Sequence, residues 1–174
     1  MHSTRKAKLE KRAPRRNRKS NGSDPFAVAL KLLTFRDRSI KELSTKLRDR
    51  GFADEEIEAT LQRCQEYGYL DDRRFAATRA RTLVSSGRAV GIRAINDLTR
   101  VGIDRPLSEE MVATAEEETD LPELLAGILD QKYPGFAFEA ASDNEKNRVV
   151  SFFRRRGFPV SLILDVLKSR NEDF

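Results

Sequence analysis

The chain has 174 residues, of which 39% are hydrophobic and 35% charged, and its formal net charge is +5. One cysteine (Cys64) excludes an internal disulfide, and one histidine (His2) with that cysteine cannot make a structural zinc site of the Cys/His type. No apolar run approaches the ~20 residues of a membrane span and no secretory signal is visible, so we expect a soluble cytoplasmic protein without metal or cofactor.

The first segment of the chain is strongly basic. Residues 1–20 hold nine Lys or Arg side chains and one acid, with almost no large apolar residue among them. Such a segment cannot offset the entropy of ordering itself, so residues 1–23 are predicted to form a disordered arm. A basic arm binds nucleic acid by counterion release or serves as a solubilising tail, and the sequence leaves both open.

Hydrophobic residues after the arm recur with helical spacing almost throughout. Asp24 and Pro25 read as the N-cap and first residue of the first helix. Ser39-x-x-Glu42 predicts a capping box at the second, which Gly51 stops. Three consecutive acids, residues 54–56, fall in the first turn of the third helix, where the helix dipole favours them.

Caps and stop glycines predict six more helices in the rest of the chain. The predicted starts are Asp71 or Asp72 for the fourth helix, a position near Ser108 for the sixth, Asp120 for the seventh, the capping box Ser142-x-x-Glu145 for the eighth and Pro159 for the ninth. The predicted stops are Gly68 for the third helix, Gly87 for the fourth, Gly102 for the fifth and Gly157 for the eighth.

These helices group in threes. The stop glycines Gly51, Gly102 and Gly157 each follow a large apolar residue by four positions and directly precede another. We therefore predict an arm (1–23) and three three-helix repeats, 24–68, 69–118 and 119–174. Because such a small unit has few core residues, the copies should stack into an elongated, curved, solenoid-like all-α array. The alternative is one nine-helix globule.

The sequence gives no positive reason to predict an enzyme. There is no Gly-rich phosphate loop, and a Cys–His or Ser–His–Asp site would need His2, which lies in the arm. The adjacent carboxylates Asp71 and Asp72 are more simply explained by helix capping.

Basic residues, mostly Arg, recur on three predicted helices. Arg suits bidentate contact with carboxylate or phosphate, whereas the alternative is a solvated, salt-bridged face. The candidate contact residues for a partner or DNA are Arg36, Arg38, Lys41, Lys46, Arg48, Arg73, Arg74, Arg79, Arg81, Arg154, Arg155 and Arg156. The second and third helices of each unit also have a helix-turn-helix outline, so a stand-alone DNA-binding module is the competing function.

Three stretches resemble the RecX family of recombinase regulators. They are 29–52, with Arg38-Ser39-Ile40-Lys41-Glu42-Leu43 and Gly51-Phe52; Tyr67-Gly68-Tyr69-Leu70-Asp71-Asp72-Arg73-Arg74-Phe75-Ala76; and Phe152-Phe153-Arg154-Arg155-Arg156-Gly157-Phe158. The resemblance covers roughly residues 25–168 in order.

The resemblance implies a protein that is not an enzyme. It implies binding to the RecA recombinase, mostly as the nucleoprotein filament, and restraint of its assembly, ATP hydrolysis and strand exchange in DNA repair and the SOS response. The basic helices would contact acidic RecA surface, DNA phosphate or both, and residues 1–20 would add salt-sensitive affinity. We expect a monomer without membrane contact.

Overall fold

The computed structural model describes residues 24–169, and the predicted arm, 1–23, lies outside the described residues. Within 24–169 the chain is all-helical, as predicted. The helices are α1 (Pro25–Phe35), α2 (Ile40–Asp49), α3 (Asp54–Glu66), α4 (Asp72–Ser85), α5 (Gly91–Arg100), α6 (Arg105–Glu117), α7 (Leu121–Lys132), α8 (Asp143–Arg156) and α9 (Val160–Ser169). Within residues 24–169, no helix has the length and the apolar composition of a membrane span.

Local sequence signals set most of the helix ends. The Asp24 carboxylate accepts hydrogen bonds from the amides of Phe26 and Ala27, with Pro25 as the first residue of α1. Ser142 and Glu145 form the predicted capping box at α8. Gly157, with φ at 96°, ends that helix in the left-handed conformation that favours glycine.

The start of α6 differs from the prediction. It begins at Arg105, three residues before Ser108. Asp104 is the cap, because its carboxylate accepts a hydrogen bond from the Leu107 amide at 2.8 Å, and Pro106 fits the first turn. Ser108 is buried inside the helix, where its hydroxyl donates to the Asp104 carbonyl at 2.7 Å.

The helices pack in consecutive trios, which we call unit 1 (α1–α3), unit 2 (α4–α6) and unit 3 (α7–α9). Every pair of described helices with extensive contact lies within one trio. Hydrogen bonds between trios join unit 1 to unit 2 and unit 2 to unit 3. The fold is therefore a tandem array of three-helix repeats, as predicted.

The hydrophobic core is divided unequally among the units. Unit 1 has its own cluster, which includes the fully buried Leu43 and Leu47. Units 2 and 3 share a second cluster that runs from Phe75 to Leu167 and has the fully buried Phe153 within it. The apolar core is thus interrupted between units 1 and 2 and continuous between units 2 and 3.

Candidate functional site

Hydrogen bonds join unit 1 to unit 2 at the start of α2. Ser39, which is fully buried, accepts a hydrogen bond from the Glu42 amide at 3.1 Å and caps α2. The same hydroxyl donates to the Val101 carbonyl at the end of α5. One side chain therefore caps a helix of unit 1 and fastens it to unit 2.

A second contact at this junction crosses in the other direction. The Asp72 carboxylate, at the start of α4, accepts a hydrogen bond from the Ile40 amide of α2 at 2.8 Å. This satisfies a first-turn amide that has no partner within its own helix. Burial raises the pKa of Asp72, and the hydrogen bond from Ile40 opposes that shift. Asp71, not Asp72, caps α4 by accepting from the Arg74 amide at 3.0 Å.

A basic cavity of about 260 Å³ opens beside this junction, between α2 and the end of α5. Four cationic side chains line it: Arg38, Lys41, Lys46 and Arg100. The lining also includes Glu42, whose carboxylate already accepts two hydrogen bonds from Arg36 at 2.8 and 2.9 Å. The hydrogen bond from Arg36 lowers the pKa of Glu42, so this acid stays ionised and paired. The cavity is therefore suited to an anionic group such as a phosphate or a carboxylate.

Two cavity residues are held by backbone carbonyls. The Arg38 guanidinium donates to the Leu32 carbonyl at 3.3 Å, and Lys41 donates to the Arg100 carbonyl at 3.3 Å. Burial lowers the pKa of Arg38, although a guanidinium stays protonated in proteins. Backbone carbonyls position these cations without cancelling their charge.

Most of the candidate cations on α4 already form ion pairs with acids of unit 2. Arg73 bonds to Glu110 and Arg81 to Glu118, both on α6. Arg79 bonds to Asp97 of α5 at 2.6 Å. Arg74 donates instead to the Gly68 carbonyl at 3.0 Å.

Three candidates in unit 1 also form ion pairs with acids. Arg36 pairs with Glu42 and Arg48 with Asp54, each at 2.8 Å, while Lys46 lies 3.8 Å from Asp49. Within residues 24–169, the predicted cations without a carboxylate ion pair are Arg38, Lys41, Arg74, Arg154, Arg155 and Arg156.

The last three of these cations end α8 at the junction of units 2 and 3. The helix dipole favours positive charge at this end. Arg156 lies over the Phe152 ring, 3.7 Å from its centroid, and its carbonyl accepts from the Val90 amide of unit 2 at 2.8 Å. Arg154 and Arg155 are exposed. A second basic surface therefore lies beside the second junction.

Sequence reasoning missed Arg100 as a cavity residue. Alignment of the repeats on their stop glycines would have found it, because Arg100 precedes Gly102 by two positions, as Arg155 precedes Gly157. It also missed Arg63, Tyr67 and Tyr69 as an exposed group, for which the only signal is their proximity in sequence.

No group of three or more His, Cys, Asp or Glu side chains within 24–169 is arranged to hold a metal ion.

Comparisons with known proteins agree with this fold. The crystal structure of RecX from Lactobacillus salivarius superposes with a TM-score of 0.65 at 22% identity, over 86% of this chain and 96% of that one. A likeness at this identity establishes the fold alone.

Sequence relatives establish the family. Residues 26–64 match the model of the RecX first three-helix domain. Regulatory protein RecX of Syntrophotalea carbinolica is 37% identical over 141 residues, which cover 81% of this chain and 92% of the relative. Regulatory protein RecX of Vibrio parahaemolyticus is 33% identical over 84% of this chain and 91% of the relative. The chain therefore belongs to the RecX family of regulatory proteins.

Proposed function

We propose that this protein binds the RecA recombinase, mostly as its nucleoprotein filament, and restrains filament assembly, ATP hydrolysis and strand exchange. It acts as a cytoplasmic monomer in DNA repair and recombination, without enzymatic activity of its own. The RecX relatives support the regulatory role. The repeats 24–68, 69–118 and 119–174 serve as its binding modules, and the packing of the helices in trios is consistent with these boundaries.

The observation that carries the proposal is the placement of unmatched cations beside both unit junctions. Arg38 and Lys41 line the cavity at the first junction, and Arg154 and Arg155 are exposed at the second. A phosphate or carboxylate can bind these side chains without displacing an acid of the protein. A tandem array that carries such sites at successive junctions suits an extended, acidic partner.

The cations that already form ion pairs within the protein provide a control. Because Arg81 is already bonded to Glu118 at 2.9 Å, an incoming anion must compete with that carboxylate. We therefore expect Lys41 and Arg155 to contribute more to partner binding than Arg81, although all three lie on candidate surfaces.

The test is inhibition of ATP hydrolysis by RecA on single-stranded DNA. The substitutions Arg38→Glu, Lys41→Glu, Arg74→Glu and Arg155→Glu are compared with Arg81→Glu, which makes the same change of charge at an ion-paired position. Loss of a charge-assisted contact of about 1.5–3 kcal/mol raises the half-inhibitory concentration about tenfold or more. The matched control should change it by less than about twofold. A wild-type protein that leaves RecA hydrolysis unchanged would reject the partner, and equal effects of Arg81→Glu and Lys41→Glu would reject this surface.

The arm has its own test. Deletion of residues 1–20 should weaken filament binding more at low salt than at high salt, because counterion release is salt-dependent. The same titrations on bare duplex examine the competing function. Tight, sequence-selective binding to duplex at about 0.15 M salt would favour a stand-alone helix-turn-helix module.

A further inference from the structure

An exposed aromatic group lies where α3 turns into α4. Tyr67 is 60% exposed and Tyr69 is 50% exposed. Their ring centroids are 6.0 Å apart, and the Phe26 ring lies 6.1 Å from that of Tyr67. We call this surface, together with the adjacent Arg63 and Arg74, the tyrosine patch.

The backbone of the patch is held firmly, so the exposure of the rings does not come from a loose loop. Gly68 lies between the two tyrosines with φ at 69°, in the left-handed region. The amides of Tyr69 and Leu70 both donate to the Cys64 carbonyl, at 2.8 and 3.2 Å. Leu70 is buried in the core of unit 1. The turn therefore presents both tyrosines outward in a fixed arrangement.

Two arginines flank the rings. The Arg63 guanidinium lies 3.9 Å from the Phe26 ring centroid and 5.7 Å from that of Tyr67. Arg74 donates to the Gly68 carbonyl at 3.0 Å, between the two tyrosines in the chain. Both are exposed, and neither forms an ion pair with an acid in the described part of the chain. The patch therefore combines aromatic faces with cations whose charge is not cancelled.

The neighbouring acids already have partners. Glu66 accepts a hydrogen bond from the Gln62 amide group at 2.9 Å. Asp71 caps α4 through the Arg74 backbone amide at 3.0 Å. The two guanidinium groups are thus left to pair with an external anion.

We propose that the tyrosine patch binds single-stranded DNA, with unpaired bases stacking on Tyr67 and Tyr69 and phosphates contacting Arg63 and Arg74. Every base offers a π face to an aromatic ring, so such a platform is tolerant of sequence. Duplex DNA keeps its bases stacked on each other, and an acidic protein surface would use the arginines without needing the rings. The combination of rings and cations therefore favours a single strand.

This inference rests on the proposed function for the presence of single-stranded DNA in the partner complex. Its test uses bare oligonucleotides without recombinase, so the two proposals can fail separately. The full-length protein is titrated onto a fluorescently labelled 20-nucleotide oligo(dT) and onto a duplex of the same length, with anisotropy as the measurement.

The decisive variant is the double substitution Tyr67→Ser and Tyr69→Ser. Loss of two stacking contacts should raise the Kd for oligo(dT) about tenfold or more and leave the Kd for duplex within about twofold. The matched control is Phe35→Ser. Phe35 is 77% exposed on the same unit, nine residues beyond Phe26 and so roughly 14 Å farther along α1.

Two further measurements separate stacking from charge. Arg63→Gln and Arg74→Gln should each lower the salt dependence of binding by about 0.7 in the log–log slope, whereas the tyrosine variant should not change it. The chain has no tryptophan, and two of its three tyrosines lie in the patch, so a large part of its intrinsic emission comes from the patch. Oligo(dT) should quench that emission in the wild type and much less in the tyrosine variant, which retains Tyr133.

Three results would overturn the proposal. One is an unchanged Kd for oligo(dT) in the tyrosine variant. Another is an equal loss on duplex, which would indicate a charge or folding effect. The third is weakened binding to RecA filaments with no loss on bare oligo(dT), which would identify the patch as a protein contact. Circular dichroism and thermal unfolding of each variant establish that the fold is intact.

Discussion

Gly157 offers a direct test of how units 2 and 3 meet. It follows α8 with φ at 96°, and a β-carbon at this position would lie 2.1 Å from the Val90 carbonyl oxygen of unit 2. It would also lie 3.1 Å from Cγ of Arg93. Since the closer atom belongs to the backbone, rotation of a side chain cannot relieve the contact. We therefore predict that Gly157→Ala forces the second junction itself to shift.

The expected loss of stability has two parts. A non-glycine residue in the left-handed region costs about 1–2 kcal/mol. Overpacking of a close-packed contact costs about 1–3 kcal/mol, and here it also strains the hydrogen bond between the Val90 amide and the Arg156 carbonyl. Gly157→Ala should therefore lower the free energy of unfolding by about 2–5 kcal/mol. Urea unfolding followed by helical circular dichroism measures this change.

Gly135→Ala is the matched control. Gly135 has φ at 75°, but a β-carbon there would meet no atom within 4 Å. It should lose only the conformational part, about 1–2 kcal/mol. If the two variants lose the same free energy of unfolding, then a β-carbon at position 157 does not clash with the Val90 carbonyl, and our account of the second junction is wrong.

Four other substitutions test separate features. Ser39→Ala removes both the α2 cap and a hydrogen bond to unit 2, and we expect the free energy of unfolding in urea to fall by about 1–3 kcal/mol. A fall of less than about 0.5 kcal/mol would show that the hydrogen bond between the units is not formed. Arg36 lowers the pKa of Glu42 in the folded state, so this pair stabilises the protein at neutral pH. That stabilisation is lost as the pH falls through the pKa that Glu42 has in the folded protein. Glu42→Gln should therefore flatten the acid side of a plot of melting temperature against pH. The pKa of Asp72 is raised in the folded state, so its ionisation destabilises the fold as the pH rises. Asp72→Asn keeps an acceptor oxygen for the Ile40 amide and should not lower the free energy of unfolding at pH 7. Gly127 lies within α7, and a β-carbon there would meet no atom within 4 Å. Gly127→Ala should therefore raise the free energy of unfolding by about 0.5–1 kcal/mol. A lower melting temperature would show that this position has no room for a side chain.

The helices could be predicted from sequence because their end signals are local. The caps Asp24 and Ser142 act within three residues, and Gly157 ends α8 through its own backbone conformation. The start of α6 was placed too late because the prediction passed over the cap at Asp104 and began at the buried Ser108.

The candidate site was less accessible to sequence reasoning because charge cancellation depends on tertiary packing. Arg73 and Glu110 are 37 residues apart, and they meet only because α6 packs on α4. The sequence identifies Arg73 as a cation, but it does not show that Arg73 forms an ion pair with Glu110.

The capping box predicted at Ser39 and Glu42 shows the same limit on a smaller scale. Ser39 caps α2 as predicted, and a hydrogen bond from the Ser39 backbone is among the contacts that lower the pKa of Glu42. The Glu42 carboxylate also accepts two charge-assisted hydrogen bonds from Arg36. The motif predicts the helix cap but not this additional partner.

The interruption of the core between units 1 and 2 predicts that the two unit junctions differ in stiffness. Bending between units 1 and 2 would uncover hydrogen-bonding groups such as Ser39 and Asp72, which water can satisfy. Bending between units 2 and 3 would expose apolar side chains of the shared cluster, which water cannot accommodate. We therefore expect unit 1 to reorient more readily, while units 2 and 3 keep their relative orientation.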